Sequence, residues 1–313
     1  MVNTSIPRKA LRIAIIGDVH NQWDEQDTVA LHSLQVDLVL FVGDFGNEAV
    51  EIVRSIAALD LPKAVVLGNH DAWYTATPWG QRKCPYDRTT EDRVQVQLDL
   101  LGETHVGYGK LDFPALGLTV VGGRPFSWGG PEWKNGFFYR DRFGVNDFEE
   151  SIACMVRAID AAAHNILLFV GHCGPVGLGD HPESPCGKDW KPIGGDFGDP
   201  DLTAAIAYAQ RIGRNVPLIT FGHMHHSLRH RKDIQRERLS IGPNKQVYLN
   251  AASVPRIVKT ESSCLRNYSL VTLQEGQVKK AALVWVNQDL AIVSEEDLFA
   301  VARKPEMCVV MGR

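Results

Sequence analysis

No apolar stretch of this 313-residue chain approaches the roughly 20 residues that span a bilayer. The strongest runs, Val36 to Val42 and Ile166 to Val170, have the length and β-branched content of buried strands. A C-x-x-C pair is missing, and the six cysteines (84, 154, 173, 186, 264, 308) are widely spaced in a chain too long to need staples, so they read as reduced thiols. Charge of one sign is missing too: 33 Lys plus Arg against 37 Asp plus Glu leave a net charge of -4. No global basic field is available to coat nucleic acid. Internal repeats and low-complexity tracts are absent, and 44% apolar with 22% charged residues is the composition of a globular chain with a large core. No apolar segment of signal-peptide type precedes Ile13 to Ile16, so the expected compartment is the cytoplasm.

What is present is an alternation of strand and helix patterns. Leu11 to Ile16 is a β-branched run ending at Gly17, a helical pattern follows through Asp27, Ala30, Leu31 and Leu34, and Val36 to Val42 is a second strand ending at Gly43. The cycle repeats with a helix over 48–59 and a strand over 63–67. Further along, the spacing predicts helices over 93–101, 148–163 and 202–212, with strands at 118–121, 166–170 and 218–221. After residue 221 the pattern changes to strands at 246–251, 268–273 and 278–286, the last two joined by a turn at 274–277. Ser294 and Asp297 have the spacing of a capping box, which predicts a final helix over 295–302. The expected architecture is α/β: a four-layer α-β-β-α sandwich of two mixed sheets, as one domain over 1–290 followed by a helix and tail over 291–313. Three segments resist the alternation, about 72–93, 124–147 and 174–201. They carry Trp73, Trp79, Trp128, Trp133 and Trp190, an aromatic load that marks ordered insertions rather than linkers.

Side chains that ligate metals follow five of the strands: Asp18 and His20, Asp44, Asn69 and His70, His172, and His223 and His225. In open α/β sheets ligands collect outside the carboxyl ends of strands, so the topology delivers these residues to one rim. Carboxylates mixed with imidazoles suit Mn²⁺, Fe²⁺ or Zn²⁺, and the absence of cysteine from the set argues against a structural zinc site. Eight ligands or near-ligands exceed the needs of one ion.

Asp18-Val19-His20, Gly43-Asp44, Gly68-Asn69-His70-Asp71, Gly171-His172 and Gly222-His223-Met224-His225 together resemble the signature blocks of the calcineurin-like metallophosphoesterase superfamily, in that family's order. The Gly-Asn-His-Asp-Ala-Trp-Tyr block and the Trp-rich loops look similar to a branch of cyanobacterial and plastid members, which adds the plastid stroma as an alternative compartment. The resemblance implies two divalent ions, manganese first and iron or zinc next. One would be held by Asp18, His20, Asp44 and His225, the other by Asp44, Asn69, His172 and His223, with Asp44 bridging. His70 would be the outer-sphere acid beside a metal-activated hydroxide.

The departures narrow the expected substrate. Asn47 occupies the position of a His-orienting Asp, and Glu48 that of a phosphate-binding Arg in the Ser/Thr phosphatase branch. A carboxylate in place of a phosphate clamp reverses the electrostatics. The favoured reading is therefore hydrolysis of a phosphodiester or small organic phosphate, with a phosphorylated small molecule or nucleotide as partner and the oligomeric state left open. Arg124 is the first candidate for a displaced phosphate clamp, Trp73 for stacking on the substrate, and Asn47 for a contact near it. A monoesterase or protein phosphatase is the alternative. A non-catalytic scaffold would be expected to have lost ligands, and here none of the eight is missing. His226 and the stretch from Arg229 to Arg238 are expected to be solvated.

Overall fold

The computed structural model describes residues 10–261 and 263–301. Cys308 and the tail from residue 302 onward lie outside them. In chain order the elements are β1 (Leu11–Ile16), α1 (Glu25–Ser33), β2 (Leu38–Phe41), α2 (Val50–Ala57), β3 (Lys63–Val65), α3 (Pro78–Arg82), α4 (Arg93–Leu101), β4 (Lys110–Phe113) and β5 (Leu118–Gly122). They continue with α5 (Gly136–Phe143), α6 (Phe148–Asp160), β6 (Ile166–Val170), α7 (Pro200–Arg211), β7 (Asn215–Phe221), β8 (Leu239–Ile241) and β9 (Val247–Asn250). The chain then runs through β10 (Ile257–Lys259), β11 (Cys264–Gln274), β12 (Gln277–Val286) and β13 (Ile292–Ala300).

Two mixed sheets result. One has the order β13-β12-β11-β1-β2-β3, with β10 beside β11; the other runs β4-β5-β6-β7-β9-β8. The period of two along each strand sends alternate side chains to opposite faces. Ile13, Ile15, Leu38 and Leu40 from the first sheet meet Val120, Leu168, Val170 and Leu218 from the second in a common core between the sheets. Their neighbours Ala14, Ile16, Val39 and Phe41 face outward into a core completed by Leu31, Val53, Ile56 and Val94 of the helices α1, α2 and α4. On the far side Leu167, Phe169 and Ile219 pack with Met155, Ile159, Leu202 and Ile206 of α6 and α7. This is the α-β-β-α sandwich expected from the sequence. Burial of each Val, Leu, Ile, Phe or Met side chain among these stabilises by about 1.5–3 kcal/mol. No helix of the described residues is long and apolar enough to cross a membrane.

The expected C-terminal helix is instead β13. It pairs antiparallel with β12, from Lys280 opposite Ala300 to Val286 opposite Ile292. Local spacing favoured a helix, but the open edge of β12 offers unpaired backbone groups, and Lys280 reaches Glu295 (2.6 Å) and Asp297 (2.8 Å), which lie two residues apart on one face of the strand. The start of α2 also differs. Glu48 adopts a left-handed backbone (φ 52°), so the helix begins at Val50 rather than at residue 48. The β11–β12 connection is a two-residue hairpin in which Glu275 and Gly276 both have positive φ, the twist such turns require.

Candidate metal centre

The parallel strands β1, β2, β3, β6 and β7 end at one rim, where the turns after them carry the expected ligand residues. Asp18 (φ 50°), His20 (45°), Asp44 (58°) and His223 (67°) are all left-handed, a conformation that costs a residue with a Cβ of the order of 1–3 kcal/mol. The backbone is held there by cross-strand ties: Asp18 N–H donates to Gly43 O (3.0 Å), and His20 N–H to Asp44 O (2.9 Å). Asp71, fully buried, accepts N–H bonds from Asp44 (3.0 Å), Phe45 (2.9 Å) and Gly68 (2.7 Å), locking the turn after β2 to the one after β3. Glycine is required where these turns touch. A Cβ on Gly68 would lie 2.3 Å from Asp44 Oδ1, and one on Gly222 would lie 2.3 Å from Asp18 Oδ2.

Three groups of side chains bring their donor atoms close enough together to hold an ion: Asp18, His20 and His225; His20, Asp44 and His70; and Asp44, His172 and His223. The sequence separates His20 from His225 by 205 positions, yet their Nε2 atoms are 3.1 Å apart. His172 Nε2 lies 2.9 Å from Asn69 Oδ1, 3.2 Å from His223 Nδ1 and 3.3 Å from Asp44 Oδ1. Its other nitrogen, Nδ1, donates to Val42 O (2.7 Å), which fixes the ring so that Nε2 faces the cluster.

This donor set fits cations. Asp18 Oδ1 is buried with no well-directed hydrogen bond, although His225 Nε2 stands 3.2 Å away. Burial opposes ionisation of Asp18 and Asp44, but His225 and His172 beside them hold both carboxylates below their ordinary range. Burial would likewise lower His172, yet the adjoining Asp44 charge pushes it up to about 9, while burial and the His172 charge take His223 down to about 3. Imidazole and carboxylate lone pairs thus converge at the floor of a cavity, where protons or metal ions are needed to separate them.

His70 stands beside this centre. Its Nδ1 is 2.5 Å from Asn47 Oδ1, and because a carbonyl oxygen only accepts, Nδ1 carries the hydrogen and Nε2 is turned to the site, 3.9 Å from Asp44 Oδ2. The His70 N–H donates to Asp44 Oδ1 (2.8 Å). Trp73 stacks on the imidazole at 4.4 Å and 12°, and also on Trp128 at 5.4 Å and 22°. Trp73 therefore borders the site as expected, but its ring is engaged with His70 and Trp128 rather than left free for a substrate. Asn47 acts on the His70 ring.

Arg124 is not where a phosphate clamp has to be. It is 2% exposed, with Nη2 2.5 Å from Asp199 and Nε 2.9 Å from Asp201, and it lies among the rings of Trp133, Tyr139 and Phe148. It ties the 124–147 insertion to the start of α7. Glu48, the carboxylate that breaks the phosphatase pattern, is fully buried and organises the 72–93 insertion: it accepts the Tyr74 N–H (2.8 Å) and the Tyr86 hydroxyl. His226 and Arg236, expected in solvent, are also buried. The N–H of His226 meets Ala252 O, and Arg236 Nη1 donates to the carbonyls of Pro182 (2.7 Å), Ser184 (2.8 Å) and Gly187 (2.7 Å), so the stretch after β7 folds back over the 174–201 insertion.

The insertions and the ligand turns enclose a cavity of about 390 Å³. Asp44, Asn69, His70, His223 and His225 form its floor, and Trp73, Trp128, Trp190, Lys134 and Arg229 also line it. Sequence reasoning missed Lys134 and Arg229; their only signal was membership of the Trp-rich insertion and of the basic run.

The family model of the calcineurin-like phosphoesterases matches residues 11–227. One crystal structure aligns over 87% of this chain and 98% of its own length, at 11% identity and a TM-score of 0.51, a likeness of fold. A dimetal phosphatase from Danio rerio aligns over 93% of this chain and 97% of its own, at 12% identity and a TM-score of 0.47. A hypothetical protein from Thermus thermophilus aligns over 88% and 99%, at 14% identity and a TM-score of 0.44. Among curated proteins none matches the chain.

Proposed function

Because the chain belongs to the calcineurin-like phosphoesterase family and is thereby a phosphoric ester hydrolase, we propose that it hydrolyses a phosphodiester or another small organic phosphate at the centre built on Asp44. The observation that carries this reading is the meeting of two donor clusters, Asp18/His20/His225 and Asp44/His172/His223, at a rim that also presents His70. Asp18, His20, Asp44 and His225 would hold one divalent cation, and Asp44, Asn69, His172 and His223 a second, a mixed carboxylate and imidazole set open to manganese, iron or zinc, with manganese placed first by the family resemblance. Two such ions supply a lowered water pKa and neutralise charge that develops on the phosphoryl oxygens.

The protein's own groups do the rest. His70 would give a proton from Nε2 to the leaving oxygen as the imidazolium, a form that burial opposes and the Asp44 charge supports, and its direction is set by the Nδ1–H bond to Asn47 and the stack on Trp73. Asp71 holds the turns of Asp44 and Asn69–His70 in register, so that acid and ligands keep a fixed separation. Glu48 is committed to the 72–93 insertion and Arg124 to Asp199 and Asp201, which leaves neither position available as the clamp of a phosphoprotein phosphatase. A cavity of about 390 Å³ walled by tryptophans suits a small ester better than a protein loop.

The test is the initial rate on a chromogenic diester beside its monoester, with metal-stripped protein reconstituted with Mn²⁺. Faster turnover of the diester is expected. Preference for the monoester would overturn the diester reading, and absence of turnover on both would overturn the hydrolase reading at this site.

A further inference from the structure

The cavity floor is built from metal-ligand side chains, but part of its wall is cationic. Lys134 and Arg229 both line it, together with the Asp189–Arg236 pair. Among the described residues no carboxylate lies within ion-pair distance of the Lys134 or Arg229 head group, in a chain that has 37 acidic residues to offer. Both are held in place without being neutralised. Lys134 Nζ donates to the carbonyl of Gly129 (3.1 Å) and sits 5.1 Å above the Phe197 ring. Phe197 packs edge-on against Trp190 at 5.1 Å, and the Arg229 guanidinium lies 5.5 Å over Trp190. The backbone N–H of Arg229 is pinned to Asp189 Oδ2 (2.8 Å), whose carboxylate also faces Arg236 (3.4 Å). The Trp190–Phe197 pair thus connects the two cations, with Trp190 itself lining the cavity between them and the metal-ligand side chains. Aromatic faces and carbonyls orient a cation while leaving its charge for a ligand.

We propose that Lys134 and Arg229 form an anion subsite that holds a second phosphate of the substrate, so that the ester cleaved at the metal centre carries two phosphates rather than one. This rests on the phosphoesterase reading for the cleaved group, but the subsite is built from residues outside that centre. Arg offers a forked donor pair and Lys a mobile point charge, a combination suited to a phosphate dianion. Two such charges beside a metal centre favour a linear or branched bisphosphate over a neutral-tailed monoester.

Two measurements test it. Calorimetric titration of propane-1,3-diyl bisphosphonate and of propylphosphonate, whose P–C bonds are not hydrolysed, into the Mn²⁺-loaded protein reads the subsite without turnover. At least tenfold tighter binding of the bisphosphonate is expected, lost in Lys134→Gln/Arg229→Gln and retained in Arg229→Lys, with melting temperatures unchanged. Equal binding of the two compounds, no binding of either at millimolar concentration, or a preference that survives the double substitution would overturn the subsite. In the Mn²⁺-loaded enzyme, KM for propane-1,3-diyl bisphosphate should rise about tenfold more than KM for propyl phosphate when Arg229 becomes Gln; equal changes would count against the proposal. Failure of the wild-type protein to cleave any ester would instead remove the hydrolase reading and leave the titration to judge the subsite alone.

Discussion

Replacing Arg124 by Ala separates a structural arginine from a substrate clamp. The guanidinium is almost fully buried between Asp199 (2.5 Å) and Asp201 (2.9 Å), each of which keeps a serine hydroxyl, Ser127 at 2.7 Å and Ser151 at 2.5 Å, once the cation is gone. Breaking a buried pair by removing one partner costs about 3–5 kcal/mol. Protonation limits that cost. Burial and Asp201 raise Asp199 to about 6 against the opposing pull of Arg124, so without the arginine its carboxyl goes higher still and is neutral in the fold at pH 7. Holding a carboxyl neutral at pH 7 against an unfolded value of 3.8 costs about 4 kcal/mol, of which the wild-type carboxyl at about 6 already bears about 3 kcal/mol, so its protonation adds about 1 kcal/mol to the deficit at pH 7 and almost none at pH 5. A folded pKa raised above the unfolded one gives stability that is present below 3.8 and lost as pH rises. Urea unfolding should therefore show a deficit for Arg124→Ala that is largest at pH 7 and shrinks toward pH 5, and Asp199→Asn with Asp201→Asn in the same chain should recover part of it. A variant within about 1 kcal/mol of wild type that instead raises KM for every phosphate ester would refute the reasoning.

Further outcomes follow from the same contacts. His70→Ala should lower kcat by about 10² with metal content unchanged, and Asn47→Leu should lower it by about tenfold, both more for esters with poor leaving groups; equal losses on good and poor leaving groups would argue against the acid role. Mn²⁺ at about 100 times its dissociation constant should stabilise the stripped protein by about 2.7 kcal/mol, and a denaturation midpoint that does not move on addition of Mn²⁺ to wild type, or that moves equally in Asp44→Asn, would remove the metal centre. Glu48→Ala should open the 72–93 insertion to trypsin at Arg82, Lys83 or Arg88, whereas Glu48→Gln, which still meets the Tyr74 N–H and the Tyr86 hydroxyl, should resist. His105, whose buried Nε2 lacks a partner, is lowered to about 4 by burial. The unfolded chain takes up that proton first, so stability is full above pH 6.5 and declines toward pH 4, and a His105→Gln chain should show a flatter profile in that window.

The sequence by itself determined the alternation of β1 to β3 and of β5 to β7 with their helices, because periods of two and 3.6 are local properties of apolar spacing. It also determined which residue types stand at the strand ends, and the strand-end rule was enough to expect Asp18, His20, Asp44, Asn69, His172, His223 and His225 at one rim. It misjudged the described part of 295–302, a strand up to Ala300, where helix spacing lost to an open sheet edge. It also misjudged Arg124, Arg236 and His226, whose burial depends on segments far along the chain or on β9, with nothing in the adjoining residues to signal it. Only the tertiary structure decided that Glu48 organises an insertion, that Asn47 and Trp73 fix the ring of His70, and that Lys134 and Arg229 share a cavity with the metal-ligand side chains. These are contacts between loops, and a loop carries no periodicity from which its partner can be read: its side chains are placed by whatever the fold brings beside them.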